Sequence, residues 1–91
     1  MPTYMVTYDL NDRKDYRKLI NEIERVDGIK TLRSAWLINV SETSAKQVSD
    51  HLEQFIDSDD SLWVLELTKN HDFYEPLTGT ALWLSKNPPS R

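Results

Sequence analysis

The hydrophobic period of this chain alternates between that of a strand and that of a helix, and the order of the alternations restricts the fold more than any other property. Tyr4–Tyr8 is a β-branched and aromatic run that reads as a strand. From Lys14 the period changes: Tyr16, Leu19, Ile20, Ile23 and Val26 fall on one stripe of an amphipathic helix. Gly28 follows where a left-handed C-terminal cap is wanted. Ile29–Val40 is apolar again, but it is long for one strand and Arg33-Ser34 interrupts it. It predicts two strands with a tight reversal or bulge near Arg33, a single bent strand being the alternative. Ser44 and Gln47 form a capping box ahead of a second helical stripe, Ala45, Val48, Leu52, Phe55 and Ile56. Asp57–Ser61 makes a turn, and Leu62–Thr68 is a last strand.

The order strand, helix, strand, strand, helix, strand predicts an α+β fold of the ferredoxin-like βαββαβ plan, with two helices on one face of an antiparallel sheet. In that plan the first strand is central. The 91 residues are expected to form one domain over 1–91, its core at 3–68 and a C-terminal extension at 69–91. Within the extension, Thr78 could cap a short helix carrying Leu82 and Trp83, or Ala81–Leu84 could add a strand, even one on a partner subunit. Pro88-Pro89 stops any regular element.

Along the first strand Tyr4, Val6 and Tyr8 share one face and Met5, Thr7 and Asp9 the other. Along the last, Trp63, Leu65 and Leu67 oppose Leu62, Val64 and Glu66. Both faces therefore carry apolar side chains although the helices cover only one. That points to a partner surface, most economically a homodimer.

Composition removes several function classes. There are no cysteines, so disulfides and thiolate-zinc sites are excluded. No secretory pattern opens the chain and no apolar run approaches membrane-spanning length, so no membrane association and a cytoplasmic location are expected. A net charge of −4 opposes long-range attraction to phosphate backbones. No nucleophile–histidine–acid motif, phosphate-binding glycine loop or nucleotide fingerprint is present.

Asp9 is the sharpest candidate for chemistry, a carboxylate at the end of a strand that should be central. As a hard oxygen donor it suits Mg²⁺ or Mn²⁺, and two copies related by a dimer axis could hold one ion. The competing reading makes Asp9 to Asp12 turn and helix-cap chemistry. Glu66 lies mid-strand, on a solvated face unless it meets Asp9 across the sheet. Arg13, Lys14, Arg17 and Lys18, with Arg33, could meet phosphates, or form a solvated face paired with Asp12, Asp15 and Glu22. Tyr4, Tyr8, Trp36 and Trp63 could stack bases on an open sheet, but core or dimer packing is the stronger expectation in the absence of a ribonucleoprotein signature. His51 and His71 have no ligands at metal spacing, and Asp57-Ser58-Asp59-Asp60 lacks the pattern of a calcium loop.

Tyr8-Asp9-Leu10 at the end of the first strand, "YRKL" in the helix, a glycine after it and Ser34-Ala35-Trp36 in the next strands together resemble the CRISPR-associated Cas-two family, and most closely its SinR-like relatives. The resemblance covers about residues 3–68. It implies a ferredoxin-like homodimer in which Asp9 of each chain faces the dimer axis as the metal ligand of a nuclease. It also implies that Arg17 is the matching basic residue of the first helix and Ser34 the serine before the strand aromatic. Taken with the charge, it implies a Mg²⁺-dependent endonuclease acting on RNA rather than duplex DNA. Asp9 and Ser34 would be catalytic, and Arg17 and Arg33 would hold phosphate. A non-catalytic dimeric scaffold that docks another protein is the alternative.

Overall fold

The computed structural model describes residues 1–9 and 16–91. Four strands, β1 (Thr3–Asp9), β2 (Ile29–Leu32), β3 (Ala35–Asn39) and β4 (Ser61–Leu67), form one antiparallel sheet in the order β2-β3-β1-β4. Helix α1 (Arg17–Arg25) connects β1 to β2, and α2 (Ala45–Leu52) with a 3₁₀ turn (Glu53–Phe55) connects β3 to β4. A third helix, α3 (Thr80–Lys86), follows the sheet. The architecture is the ferredoxin-like one, with β1 and β3 central. Among the described residues no helix is long and apolar enough to cross a membrane.

The expected stripes build the core. Leu19 and Ile23 of α1 and Val48 and Leu52 of α2 pack on Tyr4 and Val6 of β1 and Trp36 and Ile38 of β3, all buried. The Ile29–Val40 run is two strands, with its reversal at Arg33-Ser34 and a register shift between Lys30 and Leu32. Ser44 caps α2 by accepting from the Gln47 amide at 3.2 Å. The return arm differs from a standard capping box: the Gln47 side chain accepts from the Thr43 backbone N–H at 2.9 Å, one residue earlier than the cap.

Two expectations at helix ends are corrected. Helix α1 closes in a Schellman arrangement, Gly28 N–H donating to Ile23 O and Asp27 N–H to Glu24 O. The left-handed residue there is Asp27, at φ 60°, and not Gly28. Helix α3 begins after Gly79 at φ 95° with no side-chain cap, so Thr78 does not cap it, and 80–86 is a helix rather than an added strand.

A polar tie joins the two covering helices. Glu22 of α1 is only 8% exposed. Its carboxylate accepts from Arg25 Nε at 2.8 Å and Nη2 at 2.7 Å, and from His51 Nε2 of α2 at 2.5 Å. The Arg25 hydrogen bonds, followed by that of His51, hold the Glu22 carboxyl at a pKa of about 2 against an ordinary 4.5. A carboxyl so lowered stabilises the fold above its unfolded pKa, and that contribution is lost as pH falls from about 4.5 towards 2. Arg25 and His51 are 65% and 43% exposed, and water screens part of the attraction. We therefore expect Glu22→Gln to cost about 1–2 kcal/mol at neutral pH rather than the full shift. Thermal melts from pH 7 to 2 should show the gap between wild type and variant closing in acid.

The opposite face of the sheet is covered unevenly. Leu77 N–H donates to Thr31 O at 2.9 Å along the outer edge of β2. The hydroxyls of Thr31 and Thr80, both buried, share a hydrogen bond of 2.8 Å. Thr3 Oγ1 donates to Asn87 O at 2.8 Å, and Arg91 pairs with Glu66 at 3.0 Å. Residues 77–88 thus cross the β2–β3 side and the lower end of β1 on this face, and the Arg91 side chain reaches Glu66, which stands opposite Tyr4 on the helix-covered face. Trp63 remains 70% exposed, with Leu65 beside it.

Candidate active site at the rim of the sheet

The position of Asp9 follows from strand register. On one side β1 pairs with β4, and Asp9 stands opposite Ser61. On the other side the β2–β3 turn closes over the end of β1: Ser34 O accepts from Tyr8 N–H at 3.2 Å and from Thr7 Oγ1 at 3.1 Å. The start of α1 reaches the same end, since the Tyr16 ring lies 6.5 Å from that of Tyr8. Tyr8 is fixed from below, its hydroxyl accepting from Trp36 Nε1 at 3.2 Å. One rim of the sheet therefore gathers Asp9, the Arg33-Ser34 turn, Ser61 and the first turn of α1 with Arg17.

The Asp9 side chain is exposed. Among the described residues its carboxylate makes no hydrogen bond or ion pair. It opens on a groove of about 220 Å³ lined by Thr7, Tyr8, Asp9, Ser61, Leu62 and Trp63. The polar side chains of this groove offer oxygen only, the donor type that Mg²⁺ and Mn²⁺ prefer. The reading of Asp9 as the head of a turn and helix cap extends into residues 10–15, outside the described residues, as do Arg13 and Lys14. Arg17, Lys18 and Arg33 are exposed.

The other candidates separate from this rim. Glu66 pairs in register with Tyr4, toward the opposite end of β4, and bonds Arg91, so it does not face Asp9. Tyr4 and Trp36 are core residues. The Tyr4 phenol donates to Glu42 O at 2.7 Å, and burial, then Glu66 and Glu42, push its pKa up. His51 is the partner of Glu22, away from this rim.

Two features were not foreseen from the sequence. Ser61 and Trp63 join Asp9 only through the β1–β4 register, which no local signal encodes because the two strands lie far apart in the chain. Asp57, Asp59 and Asp60 bring carboxylate oxygens within 4.8 Å of one another just before Ser61. Their loop is built as a turn, with Asp60 Oδ2 accepting from Asp57 N–H and Asp57 O accepting from Asp60 N–H. They add negative charge beside the Asp9 rim.

No solved structure gave a significant match to the chain. A family model does match, that of the CRISPR associated protein Cas2, over residues 1–74. The match takes in all four strands, the first two helices and every residue of the Asp9 rim, so this chain belongs to the Cas2 family.

Proposed function

We propose that this protein is a CRISPR-associated, nuclease-type homodimer that uses a divalent metal, preferentially Mg²⁺, to cleave RNA rather than duplex DNA. The observation that carries this reading is Asp9, an exposed carboxylate at the end of a central strand, unengaged among the described residues and opening on a groove it shares with Thr7, Ser61, Leu62 and Trp63.

Asp9, together with Asp9 of a second copy, would hold the ion. When bound it would polarise a phosphate oxygen and lower the pKa of a water. Arg17 and Arg33 stand on two different elements at the same rim, where their guanidinium forks suit a phosphate. Ser34 is fixed by its carbonyl bonds to β1, which sets the turn that would offer its hydroxyl to the scissile group. Preference for single strands follows from charge: the net −4 and the acidic 57–60 loop disfavour the dense phosphate of a duplex.

The test is cleavage of labelled single-stranded RNA, single-stranded DNA and duplex DNA with Mg²⁺, Mn²⁺ or chelator. Metal-dependent cleavage with RNA as the best substrate is expected. No hydrolysis with any ion would favour the second reading, a dimeric scaffold for another protein, for which the exposed Trp63 is the motivating observation.

A further inference from the structure

The β2–β3 turn is tied to the sheet more firmly from one side than from the other. On its β2 leg the pairing with β3 shifts register between Lys30 and Leu32, and Leu32 is half exposed. On its β3 leg the pairing with β1 runs up to Thr7 opposite Ala35, and the next carbonyl, that of Ser34, takes two donors from β1. One is the Tyr8 backbone N–H, a donor that every residue except proline would supply. The other is the Thr7 hydroxyl, which only this side chain supplies. We propose that Thr7 is a positioning residue of the Asp9 site: its hydroxyl seats the Arg33-Ser34 turn against β1 and so sets where those two side chains stand relative to Asp9. The inference rests on the nuclease reading above and adds the residue that couples the two halves of the site.

The pleat of β1 suits Thr7 to this role. Asp9 lies two residues further along the same face, and both line the groove described above. Residues so spaced on a strand stand about 7 Å apart, so a group anchored on Thr7 is held at a set distance from Asp9 as well. The backbone of Thr7 is itself fixed on both sides, by Ala35 of β3 and by Trp63 of β4. Tyr8 between the two is secured by the indole of the buried Trp36. Arg33 and Ser34, by contrast, are exposed, and their backbone only reverses direction between two strands. A water molecule can replace the Thr7 hydroxyl as a donor to the Ser34 carbonyl, because this end of the sheet is open to solvent. Water satisfies the carbonyl but fixes no distance to β1. Loss of the hydroxyl is therefore mild for the fold and costly for placement, where an error of about 1 Å can lower a rate about 100-fold.

Thr7→Val keeps the branched shape that suits a strand and deletes the hydroxyl, whereas Thr7→Ser keeps the hydroxyl. Both are compared with wild type on labelled single-stranded RNA with Mg²⁺, at several RNA concentrations. Thr7→Val should lower kcat by at least about 10-fold and leave KM within about 2-fold, the pattern of an interaction needed only in the transition state. It should melt within about 5 °C of wild type, and Thr7→Ser should recover kcat to within about 3-fold. The Tyr8 amide, which shares the Ser34 carbonyl, should exchange with solvent faster in Thr7→Val than in Thr7→Ser. Adding Ser34→Ala to Thr7→Val should cost less than the product of the two single losses, because Thr7 acts through that turn. A kcat for Thr7→Val within about 2-fold of wild type, a change in KM alone, or losses that multiply in the double variant would overturn the role of Thr7. So would a larger drop in melting temperature with activity per folded molecule unchanged. Absence of metal-dependent cleavage by wild type overturns the nuclease reading itself, and this inference with it.

Discussion

Asp9→Asn is expected to abolish metal-dependent cleavage and to leave the folded dimer in place. Removing a residue that merely supports a metal ligand commonly costs 10–100-fold, so replacing the ligand itself is expected to cost at least about 100-fold in rate. Asparagine keeps the shape of the side chain but not its charge. The Asp9 carboxylate is exposed and makes no hydrogen bond or ion pair among the described residues, so stability should change by no more than about 0.5 kcal/mol. Rates on labelled RNA, a thermal melt and sedimentation of the two proteins give the three readings together. Asp59→Asn is the control, because it removes a nearby negative charge from a loop that is not paired with β1. Equal loss in both variants would assign the effect to the general field of the rim. Full activity in Asp9→Asn would remove Asp9 from the mechanism.

The second large effect is on stability. A methyl group at Gly28 would lie 2.6 Å from Ile23 Cγ2, 2.9 Å from Ile23 O and 2.9 Å from Ile38 Cγ2. None of these can yield easily: Ile23 is fully buried, its carbonyl is tied by the Gly28 N–H itself, and Ile38 belongs to a central strand. Gly28→Ala is therefore expected to cost about 2–3 kcal/mol, the upper part of the overpacking range. For a domain of this size that lowers the melting temperature by roughly 10–20 °C. Asp27→Gly should act in the opposite sense. Its φ of 60° strains a residue with a Cβ, and relief of that strain, less the entropy glycine adds to the unfolded chain, leaves a gain of about 0.5–1 kcal/mol. Thermal melts of the two variants against wild type decide both.

The Asp27–Gly28 pair also shows how far the sequence could be read. The glycine marked the end of α1 correctly, but for the wrong reason: it is needed for close approach of β2's entry to Ile23 and Ile38, while Asp27 makes the left-handed turn. Elements carried by long periodic stripes, such as Leu19–Ile23 and Val48–Leu52, were legible because burial on one face imposes the spacing. The strand break at Arg33-Ser34 was legible because polar residues cannot continue a buried apolar run. Residues 77–91 were not, because seven residues of helix give too little periodicity, and the bonds that fix them run to Thr3, Asp27, Thr31 and Glu66, most of them far away in sequence. The rim was half legible. Asp9 announced itself as a charge at a strand end, whereas Ser61 and Trp63 depend on tertiary register, as does the Glu22–His51 tie away from the rim.

The hydrogen bond from Leu77 to the outer side of β2 has a consequence for assembly by strand addition. A sheet with two free edges can add neighbours at both and grow without limit, the route to fibrils. Here β2 has a carbonyl of its edge already taken and α3 packed close by, so among the described residues β4 is the edge left to offer. A molecule with a single usable edge can join one other by that edge and then has none to extend. Growth by strand addition stops at two, which lets a small chain keep an exposed tryptophan on its sheet without becoming the seed of a filament.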